Sequence, residues 1–504
     1  MRQFAAFTES HSPDFAEFSS LLGQGNVVPV FREILADMET PVSAFLKIDT
    51  GGDAFLLESV EQAERWGRYS FLGVAPRIVV HSKGRRVTIA AAGEAPDTFD
   101  SDDPLAEIKR LLARFRPVPV RGLPRFTGGL VGYLGYDMVR FCERLPDAAI
   151  DDLELPDQYL MLVDSFLVFD NTTKTIKVVA HASLEDGADP HAAYDDACAR
   201  IDELIDKLRE PVRLPKREPR TTEPHEVSGN LSQSTYEDMV CRAKDYIVAG
   251  DVIQVVLAQR FELPLRSDPF TIYRCLRTVN PAPYMFYLRL GDSTLIGSSP
   301  EVMARLEGDE VTVRPIAGTR PRGTAERADQ EMERELVSDP KEVAEHVMLV
   351  DLGRNDVGRV ARVGTVEVTE RLIVERYSHV MHLVSNVRGR LAAGMDCFDV
   401  FRATFPAGTL TGAPKIRAME IIEELEPVKR GIYGGAVGYF SFSGNMDTCI
   451  TIRTILVRNG RILIQAGAGI VADSVPESEY TECVNKARAM IQAVRLAERF
   501  EAQG

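Results

Sequence analysis

The sequence predicts an α+β fold built mainly on antiparallel β-sheets packed together, with helices on the outside. Three observations lead there. Short apolar runs are separated by tight-turn residues, as at Lys83-Gly84, Ser443-Gly444-Asn445 and Asn459-Gly460, which is how antiparallel strands read. Helical stretches interrupt these runs irregularly, and the absence of a repeating βαβ order disfavours a doubly wound parallel sheet. A charged stretch at 210–233 carries Pro211, Pro215, Pro219 and Pro224 without apolar periodicity and reads as a linker or long surface crossing. With 504 residues the chain exceeds one ordinary core. The expected division is an α+β domain at 1–210, a linker at 211–233 and a second domain at 234–504.

In chain order, strand-like runs are expected at 43–48, 54–59, 77–81, 87–91 and 165–169, with helices at 104–115 and 192–208. After the linker, 234–249 reads as a helix and 252–261 as a strand. Asp339, Pro340 and Glu342 form a helix start, with Asp as N-cap, Pro at N1 and Glu at N3. Runs at 436–442, 448–457 and 461–466 predict an antiparallel meander, followed by a long helix over 476–500.

Bulk properties exclude several classes. The net charge is −16 with no long basic run, which argues against nucleic acid as the main partner. No apolar run is long enough to span a bilayer. The first residues lack the apolar core of a signal peptide. Seven scattered cysteines form no Cys-x-x-Cys pair, so reduced thiols in a cytoplasmic setting are expected and a cysteine zinc site is not.

Two features carry chemistry. Residues 314–323, Arg-Pro-Ile-Ala-Gly-Thr-Arg-Pro-Arg-Gly, read as a loop with specified turns, and their arginines suggest an anionic ligand nearby. The pairs Glu342/Glu345 and Glu479/Glu482 each put two carboxylates on one helix face, and two such helices can hold a hard divalent cation. The spacing alone decides nothing, because it recurs at Glu61/Glu64, Glu367/Glu370 and Glu420/Glu423. Glu342 can equally cap its helix, and Glu482 can pair with Lys486 at i, i+4.

Context supplies what the spacing lacks. Residues 341–356 and 473–488 resemble signatures of anthranilate synthase component I, within the chorismate-utilising enzymes. So do 250–260, 408–415 (Gly-Thr-Leu-Thr-Gly-Ala-Pro-Lys) and 467–474 (Gly-Ala-Gly-Ile-Val-Ala-Asp-Ser). The blocks keep the family's order across 250–488. The resemblance implies the family's fold, with chorismate bound in the second domain. It implies Mg²⁺ on Glu345 and Glu482, with Glu342 and Glu479 completing the shell. It also implies Glu301 as general acid, His382 and Thr409 near the ring, and Arg453 and Tyr433 on the enolpyruvyl carboxylate. Gly467 and Gly469 would admit substrate to backbone N–H groups, and Lys486 would lie beside the acidic cluster. Gly318 and Thr319 belong to the 314–323 segment.

Two positions discriminate among the family's reactions. The aminodeoxychorismate-forming relative commonly has a nucleophilic lysine at the position of Ala317. Salicylate- and isochorismate-forming relatives use a lysine at that of Gln254 to activate water. Neither alanine nor glutamine does this work, so external ammonia is the implied nucleophile. No cysteine sits in a Gly-x-Cys-x-Gly elbow, so a separate glutaminase subunit, and hence a hetero-oligomer, is implied. Leu57-Glu58-Ser59 and Pro283-Tyr284-Met285-Phe286 resemble the family's tryptophan-binding segments, which implies feedback inhibition. The alternatives are an aminodeoxychorismate synthase or other chorismate-utilising enzyme, and a non-catalytic tryptophan-sensing paralogue.

Overall fold

The computed structural model describes residues 10–59, 67–184, 188–212, 226–323, 325–377 and 380–502. Part of the expected linker, 213–225, lies outside the described residues. Among those described, two twelve-stranded sheets form the frame, with antiparallel pairing throughout their ladders. The first runs Val27–Leu35, Thr175–Ser183, Ser165–Asp170, Tyr69–Val74, Ala54–Glu58, Tyr284–Leu290, Ser293–Ser299, Thr454–Arg458, Arg461–Ile470, Gln254–Pro264 and Ser228–Gly229, with Gly412–Ala413 also on Gln254–Pro264. The second runs from Ile316–Pro321 through Val380–Arg390, Val302–Glu307, Met446–Ile450, Ala436–Ser441 and Gly129–Leu134 to Asp97–Asp100.

Each sheet takes strands from both sides of the linker. In the first, Ala54–Glu58 pairs with Tyr284–Leu290, matching Met285 to Glu58 and Phe286 to Leu57. In the second, Gly129–Leu134 pairs with Ala436–Ser441. The period-two alternation of strands sorts the core into layers. Along Ala54–Glu58, Phe55 enters a cluster between the sheets with Phe126, Phe166, Phe286 and Tyr439. Leu56 enters the opposite cluster, under helices that supply Phe45, Ile201, Tyr273 and Val494. The second sheet's outer face is covered by residues such as Ile108, Val357 and Phe401 from other helices. No described helix is long and apolar enough to cross a membrane. All seven cysteines are free.

The strands and helices form largely where expected, with three corrections. Residues 43–48 belong to a helix, Pro41–Ile48. Its Thr40 and Ser43 form a reciprocal capping box with Pro at the start, and these local signals prevail over a short apolar run. Residues 448–457 are two strands, Met446–Ile450 in the second sheet and Thr454–Arg458 in the first, with the chain crossing between them. Residues 316–321, expected as loop, are the edge strand Ile316–Pro321, bulged at Gly318. An edge position tolerates prolines, which cannot donate to a ladder.

A buried ion pair ties the strand Gln254–Pro264 to the segments carrying Leu410 and Arg430. Arg430 donates through Nε to Glu426 at 2.9 Å, through Nη1 to the Leu410 carbonyl at 2.7 Å and through Nη2 to the Val256 carbonyl at 2.8 Å. Glu426 accepts from the Ala258 N–H at 2.9 Å. Arg430→Met should cost about 3–5 kcal/mol in chemical denaturation, because it strands a buried carboxylate and two carbonyls.

Candidate active site

The first and second sheets exchange chain at two adjacent crossings. Strand Ser293–Ser299 hands over to Val302–Glu307 through Pro300 and Glu301, and Met446–Ile450 hands back to Thr454–Arg458 through 451–453. The crossings are stitched together. Ile450 N–H donates to Glu301 O at 3.0 Å, Ser298 N–H to Arg453 O at 3.1 Å, and the Ser299 hydroxyl to Ile450 O at 2.7 Å. Arg453 therefore lies at a crossover and not within a strand, with left-handed backbone at φ 50°. Such a conformation is unfavourable for a non-glycine residue and signals a constraint.

Both side chains line a cavity of about 1000 Å³. The cavity brings together every catalytic, substrate and metal candidate from the sequence: Glu301, His382, Gln254, Thr409, Arg453, Tyr433, Gly467, Gly469, Lys486, Ala317, Gly318, Thr319, Glu342, Glu345, Glu479 and Glu482. Three glycines are close-approach positions. A Cβ at Gly469 would lie 2.7 Å from Gln254 Nε2, and one at Gly467 would lie 2.8 Å from the Tyr433 hydroxyl. Gly318 has φ +66°, and a Cβ there would meet Glu342 Oε2 at 3.0 Å.

The electrostatics divide the cavity. Burial pushes the Glu301 carboxyl up to about 8, a rise that Thr409, the Ile316 backbone, Arg453 and Lys486 oppose without cancelling. Glu301 is thus mostly protonated at neutral pH. His382 is pulled below its ordinary value by burial. Its Nδ1 lies 2.9 Å from the Gly318 carbonyl, which fixes the proton there and leaves Nε2 as the acceptor in the neutral ring. Arg453 has no ion-pair or hydrogen-bond partner for its guanidinium among the described residues, and burial lowers its pKa. An unpaired buried guanidinium facing a cavity is a site for a carboxylate.

At the acidic wall, Gln254 Nε2 donates to Glu345 at 3.0 Å. Burial raises the Glu345 carboxyl, with Glu342 and Glu482 adding to the rise, and burial likewise raises Glu479, with Glu482 adding. Clustered carboxylates strained in this way suit a hard cation. Two of the four have cationic partners within the protein: Arg320 Nη1 donates to Glu342 at 2.8 Å, and Lys486 Nζ lies 2.6 Å from Glu482. No three acidic, His or Cys side chains converge on one point among the described residues.

The arginines of 314–323 face the protein's own carboxylates and not a ligand. Arg314 pairs with Glu370 at 2.7 Å and Glu375 at 2.6 Å, Arg322 with Asp329 at 2.8 Å, and Arg320 with Glu335, Asp339 and Glu342. Short-range composition showed three cations and could not show their distant partners.

A second cavity, of about 80 Å³, is lined by Leu57, Glu58, Ser59, Pro283, Tyr284, Met285 and Phe286, all seven regulatory candidates. Two of their polar groups are committed within the protein. Glu58 accepts from Tyr273 and Arg277. The Tyr284 hydroxyl donates to Asp447 at 2.8 Å and accepts from Arg305 at 2.9 Å. Arg125, Arg305 and Asp447 in this wall carried no sequence signal, because a charge cluster assembled from a loop and two strands far apart in the chain leaves no local pattern. Pro300, Ile316 and Tyr377 line both cavities, and the Tyr377 ring meets His382 edge-on at 5.5 Å.

This fold and cavity define an enzyme that handles a small anionic substrate, and comparison supplies its family. Residues 54–492 match the chorismate binding enzyme model, and the chain belongs to that family. It is 50% identical to anthranilate synthase component 1 of Pseudomonas aeruginosa, over 96% of this chain and 98% of that one. It is 48% identical to the Aquifex aeolicus protein of the same name, over 94% and 96%. The solved anthranilate synthase component I of Streptococcus pneumoniae superimposes with a TM-score of 0.76 at 35% identity, covering 91% of this chain and 98% of that one. The menaquinone-specific isochorismate synthase of Escherichia coli shares the fold, with a TM-score of 0.69 at 19% identity over 95% and 98% of the two chains.

Glu301 makes stability depend on pH. Its folded carboxyl holds a proton up to about pH 8, against an ordinary value of 4.5. The native state binds more protons across that window, so this group's contribution is full below the lower value and drains as pH rises through the higher. Glu301→Gln removes the drain. Its melting temperature relative to the unaltered protein should increase from about pH 5 to about pH 8.5; a pH-independent difference would contradict the raised value.

Proposed function

We propose that the protein is the large subunit of an anthranilate synthase, converting chorismate and ammonia to anthranilate, pyruvate and water. The observation that carries the reading is one cavity holding a protonated carboxyl at Glu301, an unpaired guanidinium at Arg453, and glutamine and alanine at 254 and 317. Arg453 grips the enolpyruvyl carboxylate, with the Tyr433 hydroxyl beside it. Bound by Glu345 and Glu482, with Glu342 and Glu479 completing the shell, Mg²⁺ would neutralise the ring carboxylate and draw electron density from the ring. Glu301 gives its proton to the C4 hydroxyl, which leaves as water while ammonia forms the new bond at C2. Loss of the C2 proton and of the enolpyruvyl ether then yields the aromatic amine, and the departing enol becomes pyruvate on gaining a proton. Neutral His382 offers Nε2 as an acceptor beside the ring, and Thr409 and Thr319 shape the wall. Ammonia comes from a separate glutaminase subunit, and the complex works in the cytoplasm.

The test is an assay with chorismate, Mg²⁺ and an ammonium salt at alkaline pH, with product identification. Fluorescent anthranilate with equimolar pyruvate is expected; aminodeoxychorismate, isochorismate or no turnover would sink the proposal. In the same assay Ala317→Lys should lower anthranilate formation at least tenfold, since it fills the space ammonia needs and introduces a rival nucleophile.

The second cavity is proposed as the tryptophan site, to which the 1–210 segment contributes through Leu57, Glu58 and Ser59. Its wall shared with the active-site cavity at Pro300, Ile316 and Tyr377 supports coupling, provided tryptophan favours one arrangement of that wall over another. Ser59→Ala should raise the tryptophan concentration for half-inhibition several-fold with turnover unchanged. Unaltered inhibition would move the regulatory site elsewhere.

A further inference from the structure

Arg320 stands where the catalytic edge strand meets the helix Pro340–Gly358 that carries Glu342 and Glu345. Its guanidinium is mostly covered and serves three carboxylates: Nε to Glu335 at 2.9 Å, Nη2 to Asp339 at 2.8 Å and Nη1 to Glu342 at 2.8 Å. Asp339 in turn caps the helix, accepting from the Lys341 and Glu342 N–H groups. Glu342 is held on both sides, because its Oε2 packs against Gly318, where the absent Cβ leaves room. Among the described residues, Glu345, one turn further on, has the neutral Gln254 amide as its hydrogen-bond donor and no cationic partner. The two glutamates of one Glu-x-x-Glu pair therefore differ: one is neutralised by a fixed internal cation, the other is not.

We propose that Arg320 withholds Glu342 from direct coordination of the divalent cation, so that metal affinity is set by competition between the guanidinium and the ion for one carboxylate. The inference rests on the cation reading above. A multidentate arginine fork, tied to two further carboxylates, does not yield its partner readily. Glu342 then acts through water or as a spare ligand, while Glu345 remains available. The device limits how tightly the ion is held, which suits a site that also takes in and releases a dianionic substrate.

The experiment is titration of the full-length chain with Mn²⁺, followed by electron paramagnetic resonance of the free ion, so the readout is binding and not turnover. The unaltered protein should bind Mn²⁺, and Arg320→Gln should bind it at least five-fold more tightly. In a Glu342→Gln background the same Arg320→Gln change should leave affinity unaltered. A general role for Arg320 in docking the helix would instead move affinity alike in both backgrounds. Arg320→Lys keeps the charge but loses the fork, and should give a smaller, still Glu342-dependent gain; it carries the test should the glutamine variant fail to fold. Affinity unchanged or weaker in a folded Arg320 variant, or a gain independent of Glu342, overturns the proposal. Absence of Mn²⁺ binding in the unaltered protein overturns the cation reading as well, and so tells the two failures apart.

Discussion

Much of the active site depends on two neighbouring passages of chain between the sheets. A strand normally ends in a surface turn, but here two strands end by changing sheets, and the residues at the change are Glu301 and Arg453. Backbone bonds between the passages fix their separation, so the relative placement of Glu301 and Arg453 is set by main-chain geometry and not by flexible side chains alone. The left-handed backbone at Arg453 is a cost of that geometry. The Arg430–Glu426 pair performs a related task nearby, holding the backbone at Val256 and Leu410 beside Gln254 and Thr409.

Charge in the cavity is arranged by contrast. Glu301 is buried without an ion-pair partner among the described residues, so it keeps its proton, while Glu342 and Glu482 in the same cavity pair with Arg320 and Lys486. The same residue type is thus an acid in one place and an anion in another, decided by solvation and partners. His382 remains neutral for the same reason that Glu301 does, since burial disfavours the charged form in both.

What the sequence made legible was local or motif-bound. The Asp339-Pro340 helix start is visible because caps are written within four residues. The cavity residues were legible because several short blocks resemble one family together. Long-range facts were not. Arg314, Arg320 and Arg322 looked available to a ligand because Glu375, Glu342 and Asp329 lie on other elements. The run 448–457 looked like one strand because a sheet change needs no turn residue, and 43–48 looked like a strand because its capping box lies partly upstream of the apolar run. Nor could composition reveal that strands from both sides of the linker would pair.

That pairing bears on how the protein is assembled in the cell. The ladder between Ala54–Glu58 and Tyr284–Leu290 lies in mid-sheet, and so does that between Gly129–Leu134 and Ala436–Ser441. During synthesis the first half can pair each of these strands on one side only, with Tyr69–Val74 and Gln158–Val163, leaving the other edge open, of the kind that recruits other chains. Those edges close only after more than two hundred further residues have been made, a delay that leaves the nascent chain dependent on protection from its neighbours.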